Sequence, residues 1–164
     1  MQTTDLIPKA ERLIAALRAR GWKLATAESC TGGLIAATFT EVAGASDVFE
    51  RGFVTYSNAA KLGDLGVDFE SLYRHGAVSA EVAEAMARGA LRASAADIAV
   101  SVTGIAGPGG GSALKPVGLV YIGLAICETP AVAHEFRFGN LDRATIRANT
   151  VAEALSILED ALRA

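Results

Sequence analysis

The sequence predicts an α/β protein: a single three-layer α/β/α domain over residues 1–164, with a mixed, mostly parallel sheet. First, amphipathic helical segments alternate with short strand-like segments through the first two thirds of the chain, which is typical of parallel βαβ connections. Second, two strand-like segments, 118–127 and 133–138, follow each other around Pro130, so a C-terminal hairpin adds an antiparallel strand. Third, 164 residues, 51% of them hydrophobic, suffice for one buried core.

Capping and periodicity signals define the predicted helices. Residues 7–20 carry apolar residues at helical spacing, with Pro8 in the first turn and Gly21 after the last. Ser79 is a typical N-cap for a helix over 79–95, and acidic residues in its first turn match the helix dipole. The other predicted helical segments are 32–43, a turn or short helix at 58–65, a helical turn at 68–74 and a long helix at 140–164.

Three further segments are predicted as strands, namely 23–27, 48–57 and 97–102. The segment 97–102 is apolar enough to be buried on both faces, as in the centre of a parallel sheet. We expect right-handed crossovers between the early strands. A glycine-rich segment, residues 103–115, follows the third strand and is called the glycine loop below.

Charge and cysteine content exclude several function classes. Fifteen basic residues against 18 acidic ones give a net charge of −3, which argues against a nucleic-acid-binding surface. Cys30 and Cys127 are too few for a disulfide framework or a structural zinc site, so we expect a reduced, cytoplasmic protein. The sequence has neither a membrane-spanning apolar segment nor, in residues 1–8, a signal-peptide core. His75 and His134 lack neighbours at ligand spacing, so we expect no metal site.

The glycine loop is compatible with two interpretations. It lacks the Gly-Lys-Ser/Thr ending of a phosphate-binding loop, and Ser112 replaces the third glycine of a dinucleotide fingerprint. Residues 112–115 match Ser-x-x-Lys only by chance, because they lie in a loop before Pro116 and not on a helix. The loop does follow a buried strand, where ligands of open α/β sheets bind. A flexible surface loop and a ligand-binding loop both remain open.

Ser29 lies where the first strand passes into a glycine-opened helix. Backbone N–H groups and the positive end of the helix favour an oxyanion there, and the N–H groups of residues 30–33 are candidates for an oxyanion hole. Ser29 is therefore either a helix cap or a nucleophile. Cys30 is the rival nucleophile, but it has no histidine nearby in sequence and is more typical of a small buried residue.

A serine nucleophile needs a base, and lysine is the candidate because histidine is scarce. Tyr56 and Lys61 leave the second strand with a polar turn and can face the same crevice. Lys61 needs burial or a nearby cation, such as Arg143, to act as a base at neutral pH. Arg143 can equally bind an anionic substrate, with Arg147 one helical turn away, and Lys61 can equally be a surface lysine.

Four segments, in this order, resemble the CinA C-terminal domain family of nicotinamide-nucleotide amidases over nearly the whole chain. They are TAESCTGG at 26–33, GFVTYSNAAK at 52–61, VTGIAGPGG at 102–110 and KPVGLVY at 115–121, followed by the segment around Arg143. The resemblance implies that Ser29 is the nucleophile, that Lys61 is its base, and that Tyr56 assists proton transfer or positions the lysine. The residues expected to bind substrate are Thr31, Gly32, Gly33, Thr103, Gly104, Gly107 and Arg143.

The same resemblance implies a reaction. The carboxamide of nicotinamide mononucleotide would be hydrolysed to nicotinate mononucleotide and ammonia, in pyridine nucleotide salvage, without a metal or cofactor. The expected partners are the small nucleotide substrate and a second copy of the chain in a homodimer, with no nucleic acid and no membrane. Some family members carry an additional N-terminal domain linked to pyrophosphatase activity. This chain starts almost at the amidase-like domain, so we expect no pyrophosphatase activity.

Two other functions remain open at this level. A non-catalytic nucleotide-binding or regulatory module would keep the glycine loop and the crevice, but it has no need for Ser29, Tyr56 and Lys61 together. An amidase or esterase for another small carboxamide would keep all three residues and differ only in its dependence on the phosphate.

Overall fold

The computed structural model describes residues 3–163; residues 1, 2 and 164, which the predicted domain includes, lie outside the described residues. Two short 3₁₀ helices, Thr3–Leu6 and Ala45–Asp47, accompany the main elements. The helices are α1 (Ile7–Arg20), α2 (Leu34–Thr40), α3 (Asn58–Leu65), α4 (Phe69–His75), α5 (Ala80–Arg92) and α6 (Arg143–Arg163). The strands are β1 (Leu24–Glu28), β2 (Phe49–Val54), β3 (Ile98–Gly104), β4 (Leu119–Ile126) and β5 (Val132–Arg137).

The five strands form one mixed sheet in the order β2-β1-β3-β4-β5. Strand β1 pairs in parallel with both β2 and β3, while β4 is antiparallel to β3 and to β5. Four strands therefore point the same way and β4 runs against them. The predicted α/β class, the mixed sheet and the C-terminal hairpin are confirmed.

Helices cover both faces of the sheet, which gives the three predicted layers. On one face α1, α2 and α6 pack on β3, β4 and the first residue of β1, with Leu24, Val100 and Ile122 fully buried. On the other face α3, α4 and α5 pack on small residues of β1 and β3, such as Ala27 and Ala99. The small side chains let α5 approach closely: a Cβ at Gly123 of β4 would lie 2.4 Å from the carbonyl oxygen of Ala83.

Capping chemistry sets most helix ends where the sequence predicts them. Helix α1 runs from Ile7 to Arg20, and its C-cap Gly21 has the left-handed φ of 66°. Ser57, Asp68 and Ser79 accept N–H bonds at the starts of α3, α4 and α5. The segment 58–65, predicted as a turn or short helix, is a helix.

Two predicted boundaries are wrong in ways that matter for the site. The second strand was predicted to reach residue 57, but β2 ends at Val54, because Ser57 already caps α3. Thr103 was predicted in the glycine loop, but it pairs with Tyr121 within β3. The glycine loop therefore covers residues 105–115. Among the described residues, no helix is long and apolar enough to span a membrane.

Candidate active site

The site lies at the carboxyl end of β1, where the order of the sheet reverses. The chain goes from β1 to β2 on one side and returns to β3 on the other side, which opens a crevice at this edge. Ser29 directly follows β1 and donates its N–H to the carbonyl of Val102 in β3, 3.0 Å away. The same edge receives the end of β2 and the start of the glycine loop, so the predicted site residues converge here.

Ser29 and Lys61 are brought together although 32 positions separate them in sequence. Lys61 Nζ lies 3.0 Å from Ser29 Oγ and donates a second hydrogen bond to the carbonyl oxygen of Thr55, 2.7 Å away. Lys61 comes from the first turn of α3, which follows β2, and β2 is the parallel neighbour of β1. Adjacent parallel strands thus place the hydroxyl and the amine side by side.

Lys61 is a buried amine and not a surface lysine. Its exposed fraction is 1%, and no carboxylate pairs with it among the described residues. Burial lowers the pKa of the Lys61 amine below its ordinary value of 10.5, with a smaller opposing effect from Cys30. Arg143, considered from sequence as the cation that lowers this pKa, is not among its causes. A depressed pKa increases the fraction of neutral amine able to accept a proton.

Cys30 is a buried thiol, as the sequence analysis favoured. It is 6% exposed, and burial is the main cause that raises its pKa to about 11, against smaller lowering effects that include those of Arg143 and Arg147. A thiol with this pKa is protonated at neutral pH and is a poor nucleophile.

Glu28 is a site residue that the sequence analysis missed. Its carboxylate is fully buried and accepts the N–H groups of Gly33, Ile35 and Ala36 at 3.1, 3.0 and 2.9 Å. The Glu28 carboxylate therefore compensates the positive end of α2 beside Ser29, an effect that the sequence analysis did not consider. A carboxylate at the end of an otherwise small and apolar strand, just before a helix, was the available signal.

The segment between β1 and α2, residues 29–33, is called the Ser29 turn. Gly32 and Gly33 have the left-handed φ values of 60° and 97°, which favour glycine at both positions. The N–H of Gly32 is donated to the Ser29 carbonyl, and that of Gly33 to Glu28. Both N–H groups are thus already bonded within the protein, and a substrate-binding role for Gly32 and Gly33 stays a prediction. The N–H groups of Cys30 and Thr31 donate to no described residue, and that of Cys30, which directly follows Ser29, is the candidate backbone donor.

Tyr56 and Arg143 form a second cluster beside the first. Arg143, the first residue of α6, donates one hydrogen bond to the Tyr56 hydroxyl at 2.6 Å and another to the Gly107 carbonyl at 2.9 Å. Tyr56 is 60% exposed and makes no hydrogen bond to Lys61 among the described residues. The structure thus links Tyr56 to the arginine, and not to the lysine that it was predicted to assist.

Thr103 and Gly104 occupy the end of β3 and have packing roles there. The Thr103 side chain is buried and donates to the carbonyl of Ala77 at 2.7 Å, which fixes the segment before α5. A Cβ at Gly104 would lie 2.7 Å from Val120 of β4, so the close strand pairing requires glycine. A substrate-binding role for these two residues stays a prediction.

Arg147 reaches the Ser29 turn from the first turns of α6. Its Nη2 donates to the carbonyl oxygen of Thr31 at 2.9 Å, while its Nε is buried without a partner among the described residues. From the sequence, Arg147 is expected one helical turn from Arg143, where both bind an anionic substrate. In the structure the Arg147 guanidinium instead contacts the backbone next to Ser29.

Most of the glycine loop is exposed and borders a cavity of about 670 Å³. Residues 108–113 line this cavity together with Arg137 and Asn140, and neither Ser29 nor Lys61 belongs to its lining. Lys115 holds the end of the loop by donating to the carbonyl groups of His75 and Val78. Among residues 3–163, no group of three or more histidine, cysteine or carboxylate side chains is arranged to hold a metal ion.

The fold and the site place this protein among three-layer α/β/α proteins, with a buried lysine bonded to a serine where the order of the sheet reverses. The particular family follows from comparison. The model of the CinA C-terminal domain matches residues 7–162, and the chain belongs to this family.

Relatives and solved structures agree with this assignment. The chain is 52% identical over 149 residues to the nicotinamide-nucleotide amidohydrolase PncC of Enterobacter agglomerans, covering 91% of this chain and 88% of that protein. It is 55% identical over 148 residues, 90% of its length, to a competence-damage inducible protein of Caldicellulosiruptor bescii, but spans only 36% of that longer relative. The crystal structure of the competence/damage inducible protein CihA from Agrobacterium tumefaciens superimposes with a TM-score of 0.94 at 51% identity, over 98% and 96% of the two chains.

Proposed function

We propose that this chain is a nicotinamide-nucleotide amidohydrolase that converts nicotinamide mononucleotide and water to nicotinate mononucleotide and ammonia. The observation that carries the proposal is the 3.0 Å contact between Ser29 Oγ and the buried amine of Lys61. Its support from comparison is the amidohydrolase PncC, which matches 91% of this chain at 52% identity. A pure binding module has no use for a buried lysine of lowered pKa beside a serine hydroxyl.

Ser29 and Lys61 supply the covalent chemistry in this proposal. Neutral Lys61 accepts the Ser29 proton as Oγ attacks the carboxamide carbon, and the tetrahedral intermediate forms. The ammonium of Lys61 then returns the proton to the departing nitrogen, which leaves as ammonia, and an acyl-enzyme ester remains. Water, deprotonated by the same amine, attacks the ester, and Ser29 recovers its proton as nicotinate mononucleotide departs.

The N–H of Cys30 is the proposed donor to the oxyanion of the tetrahedral intermediate. It belongs to the residue after the nucleophile, the position that serves this role in α/β hydrolases. No hydrogen bond to another described residue uses this N–H, whereas those of Gly32 and Gly33 are occupied. A preorganised donor of this kind stabilises charge that develops only in the transition state.

Arg143 is the proposed ligand of the substrate's anionic group. Its guanidinium lies between Tyr56 and Gly107, on the side of the site that leads to the exposed glycine loop. A guanidinium recognises phosphate by paired hydrogen bonds, and loop N–H groups add to them. In this arrangement Tyr56 orients Arg143, while Thr103 and Gly104 shape the floor of the crevice.

The proposal extends to the setting of the enzyme. We place it in pyridine nucleotide salvage in the cytoplasm, as a homodimer, by resemblance to the amidase family and from its low cysteine content. Light scattering of the purified chain tests the dimer directly. A single species at 16.9 kDa would refute it.

Purified protein incubated with nicotinamide mononucleotide, with ammonia and nicotinate mononucleotide both quantified, tests the activity. We expect equal amounts of the two products and at least a roughly 10³-fold loss in Ser29→Ala, because the variant lacks the attacking oxygen. Ser156→Ala, which removes a serine hydroxyl bonded to Lys9 far from the site, is the matched control and should retain full activity.

The alternatives predict different results in the same assay. Binding of the nucleotide without any product would identify a non-catalytic module. Turnover of nicotinamide riboside or a simple nicotinamide at the same kcat/KM as the mononucleotide would identify an amidase that ignores the phosphate.

A further inference from the structure

The Ser29 turn is fixed by two charged side chains that lie outside it. Glu28, in β1, binds the end of the turn, and Arg147, in α6, binds its middle. Neither side chain forms a hydrogen bond with Ser29 or Lys61 among the described residues. Both act on the backbone that carries Ser29.

The turn needs such restraint because of its own composition. Gly32 and Gly33 follow each other, and glycine has the widest conformational freedom of any residue. Among the described residues, one backbone hydrogen bond joins two residues of the turn, from Gly32 N–H to the Ser29 carbonyl. The other backbone bonds of the turn go to Val102 in β3 and to α2. Two consecutive glycines next to the reacting serine would let Ser29 drift away from Lys61 without further contacts.

Glu28 restrains the end of the turn that leads into α2. Its carboxylate accepts the Gly33 N–H and two N–H groups of the first turn of α2, so that the turn and the helix move as one unit. Its own backbone carbonyl accepts the N–H of Thr55, the residue whose carbonyl holds Lys61. Glu28 thereby joins the backbones on which both reacting side chains depend.

Arg147 restrains the middle of the turn. Its Nη2 binds the Thr31 carbonyl at 2.9 Å and lies 3.5 Å from the position of a Cβ on Gly32, so it covers the turn closely. Its Nε remains buried without a partner in the described part of the chain, an arrangement that lowers the stability of the fold. A contribution to the stability of the fold therefore does not account for Arg147. Its hydrogen bond to the Thr31 carbonyl, which restrains the Ser29 turn, accounts for it better.

We infer that Glu28 and Arg147 are positioning residues that hold the Ser29 turn in its reactive shape. They keep Ser29 Oγ within reach of Lys61 Nζ, and they fix the backbone that carries the Cys30 N–H. This inference rests on the proposed function for the role of Ser29. It predicts that loss of either side chain slows the chemical step and leaves substrate binding nearly unchanged.

Arg147→Gln is the central variant, and Arg147→Lys, which keeps one cationic donor, is its conservative partner. Arg163→Gln is the matched control, since Arg163 is an exposed arginine at the other end of the same helix. For each we would measure kcat and KM for nicotinamide mononucleotide and the thermal midpoint. We would also measure the rate at which phenylmethanesulfonyl fluoride modifies Ser29, followed by mass spectrometry. In that modification Ser29 Oγ bonds to sulfur, fluoride leaves, and the serine proton passes to solvent.

We expect Arg147→Gln to lower kcat about 10- to 100-fold, since a displacement near 1 Å at the reacting atoms has an effect of this order. KM should stay within about twofold, and the modification rate of Ser29 should fall with kcat. Arg147→Lys should recover part of both rates, and Arg163→Gln should match the unchanged protein. Glu28→Gln, which replaces an acceptor oxygen by an NH₂ group, should behave like Arg147→Gln if it folds. If it does not fold, the Arg147 series decides alone.

Three results would overturn the inference. A rise in KM with unchanged kcat would make Arg147 a substrate ligand. Unchanged kcat together with an unchanged modification rate would make it irrelevant to Ser29. A fall in kcat fully explained by a smaller folded fraction would make its role purely structural. Failure of the proposed function appears separately: the unchanged protein would then release no ammonia from the mononucleotide, while the Ser29 modification rates would still compare the variants.

Discussion

The Ser29 turn and the glycine loop follow neighbouring parallel strands and reach the same edge of the sheet, yet they are built differently. The turn is five residues long, with Cys30 and Thr31 buried, and it is bound by a carboxylate on one side and a guanidinium on the other. The loop is eleven residues long, and positions 108–114 are exposed. Its connections to the rest of the molecule lie near its ends, through Gly107 to Arg143 and through Lys115 to the segment before α5.

Under the proposed function, this difference in structure separates two tasks. Bond making at Ser29 requires atoms held to a fraction of an ångström, and a densely bonded turn provides this. Recognition of a flexible phosphate tail tolerates adjustment, and an exposed glycine-rich loop beside an arginine provides that. We therefore expect substitutions around the turn to act on kcat and substitutions around the loop to act on KM.

Lys61→Met gives the largest expected effect and tests the turn side of the comparison. Without the amine no group accepts the Ser29 proton, so kcat should fall about 10³-fold or more while the far-UV circular dichroism spectrum stays that of the folded protein. Lys115→Met is the matched control for kcat, because Lys115, like Lys61, donates to main-chain carbonyl oxygen but does not contact Ser29. Near-normal turnover in a folded Lys61→Met protein would refute the serine–lysine mechanism.

The pH dependence of kcat in the unchanged protein is a second test of Lys61 as the base. Burial lowers the pKa of Lys61, and only the neutral amine accepts a proton, so kcat should rise with pH through a midpoint below 10.5. The pKa of Lys61 is lower in the folded protein than in the unfolded chain, because only the folded protein buries the amine. Between these two pKa values the unfolded chain binds more protons, so the free energy of unfolding increases with pH. A kcat that falls as pH rises through this range would contradict Lys61 as the base.

Arg143→Gln gives an intermediate effect and tests the loop side. Loss of the guanidinium should raise KM for the mononucleotide about tenfold, the value of a charge-assisted hydrogen bond, and leave kcat within a few-fold. The KM for nicotinamide riboside, which lacks the phosphate, should change little. An equal fall in kcat for both substrates would instead assign Arg143 to the chemical step and erase the distinction between turn and loop.

Cys30→Ala gives the smallest expected effect. The buried thiol has its pKa raised to about 11, so it takes no part as a nucleophile, and alanine keeps the backbone N–H that we assign to the oxyanion. Steady-state kinetics should give kcat and KM within about twofold of the unchanged protein, since only a small buried side chain is trimmed. Loss of turnover with the fold intact would bring back a cysteine mechanism.

The fold class and most elements were determined by the sequence itself. Helix α1 has the predicted bounds because Pro8 and Gly21 set its ends locally, and Ser79 caps α5 for the same reason. Ser29 was singled out because it follows a strand and precedes a helix, and Lys61 because histidine is scarce and the lysine follows the polar turn after the second strand; both positions lie near the carboxyl ends of parallel strands. These features depend on neighbouring residues only, so they can be recognised without the tertiary structure.

Tertiary structure alone decided which site residues contact one another. Whether Lys61 is a surface cation or a buried amine depends on packing around α3, which the turn sequence does not record. Arg147 reaches Thr31 across 116 positions, and Tyr56 pairs with Arg143 across 87, because α6 packs beside the end of β1. Such contacts are set by the direction of whole elements, which local propensity does not specify. The sequence thus determined which chemical groups the site contains, and the packing of α3 and α6 determined which of them hold Ser29 and which surround it.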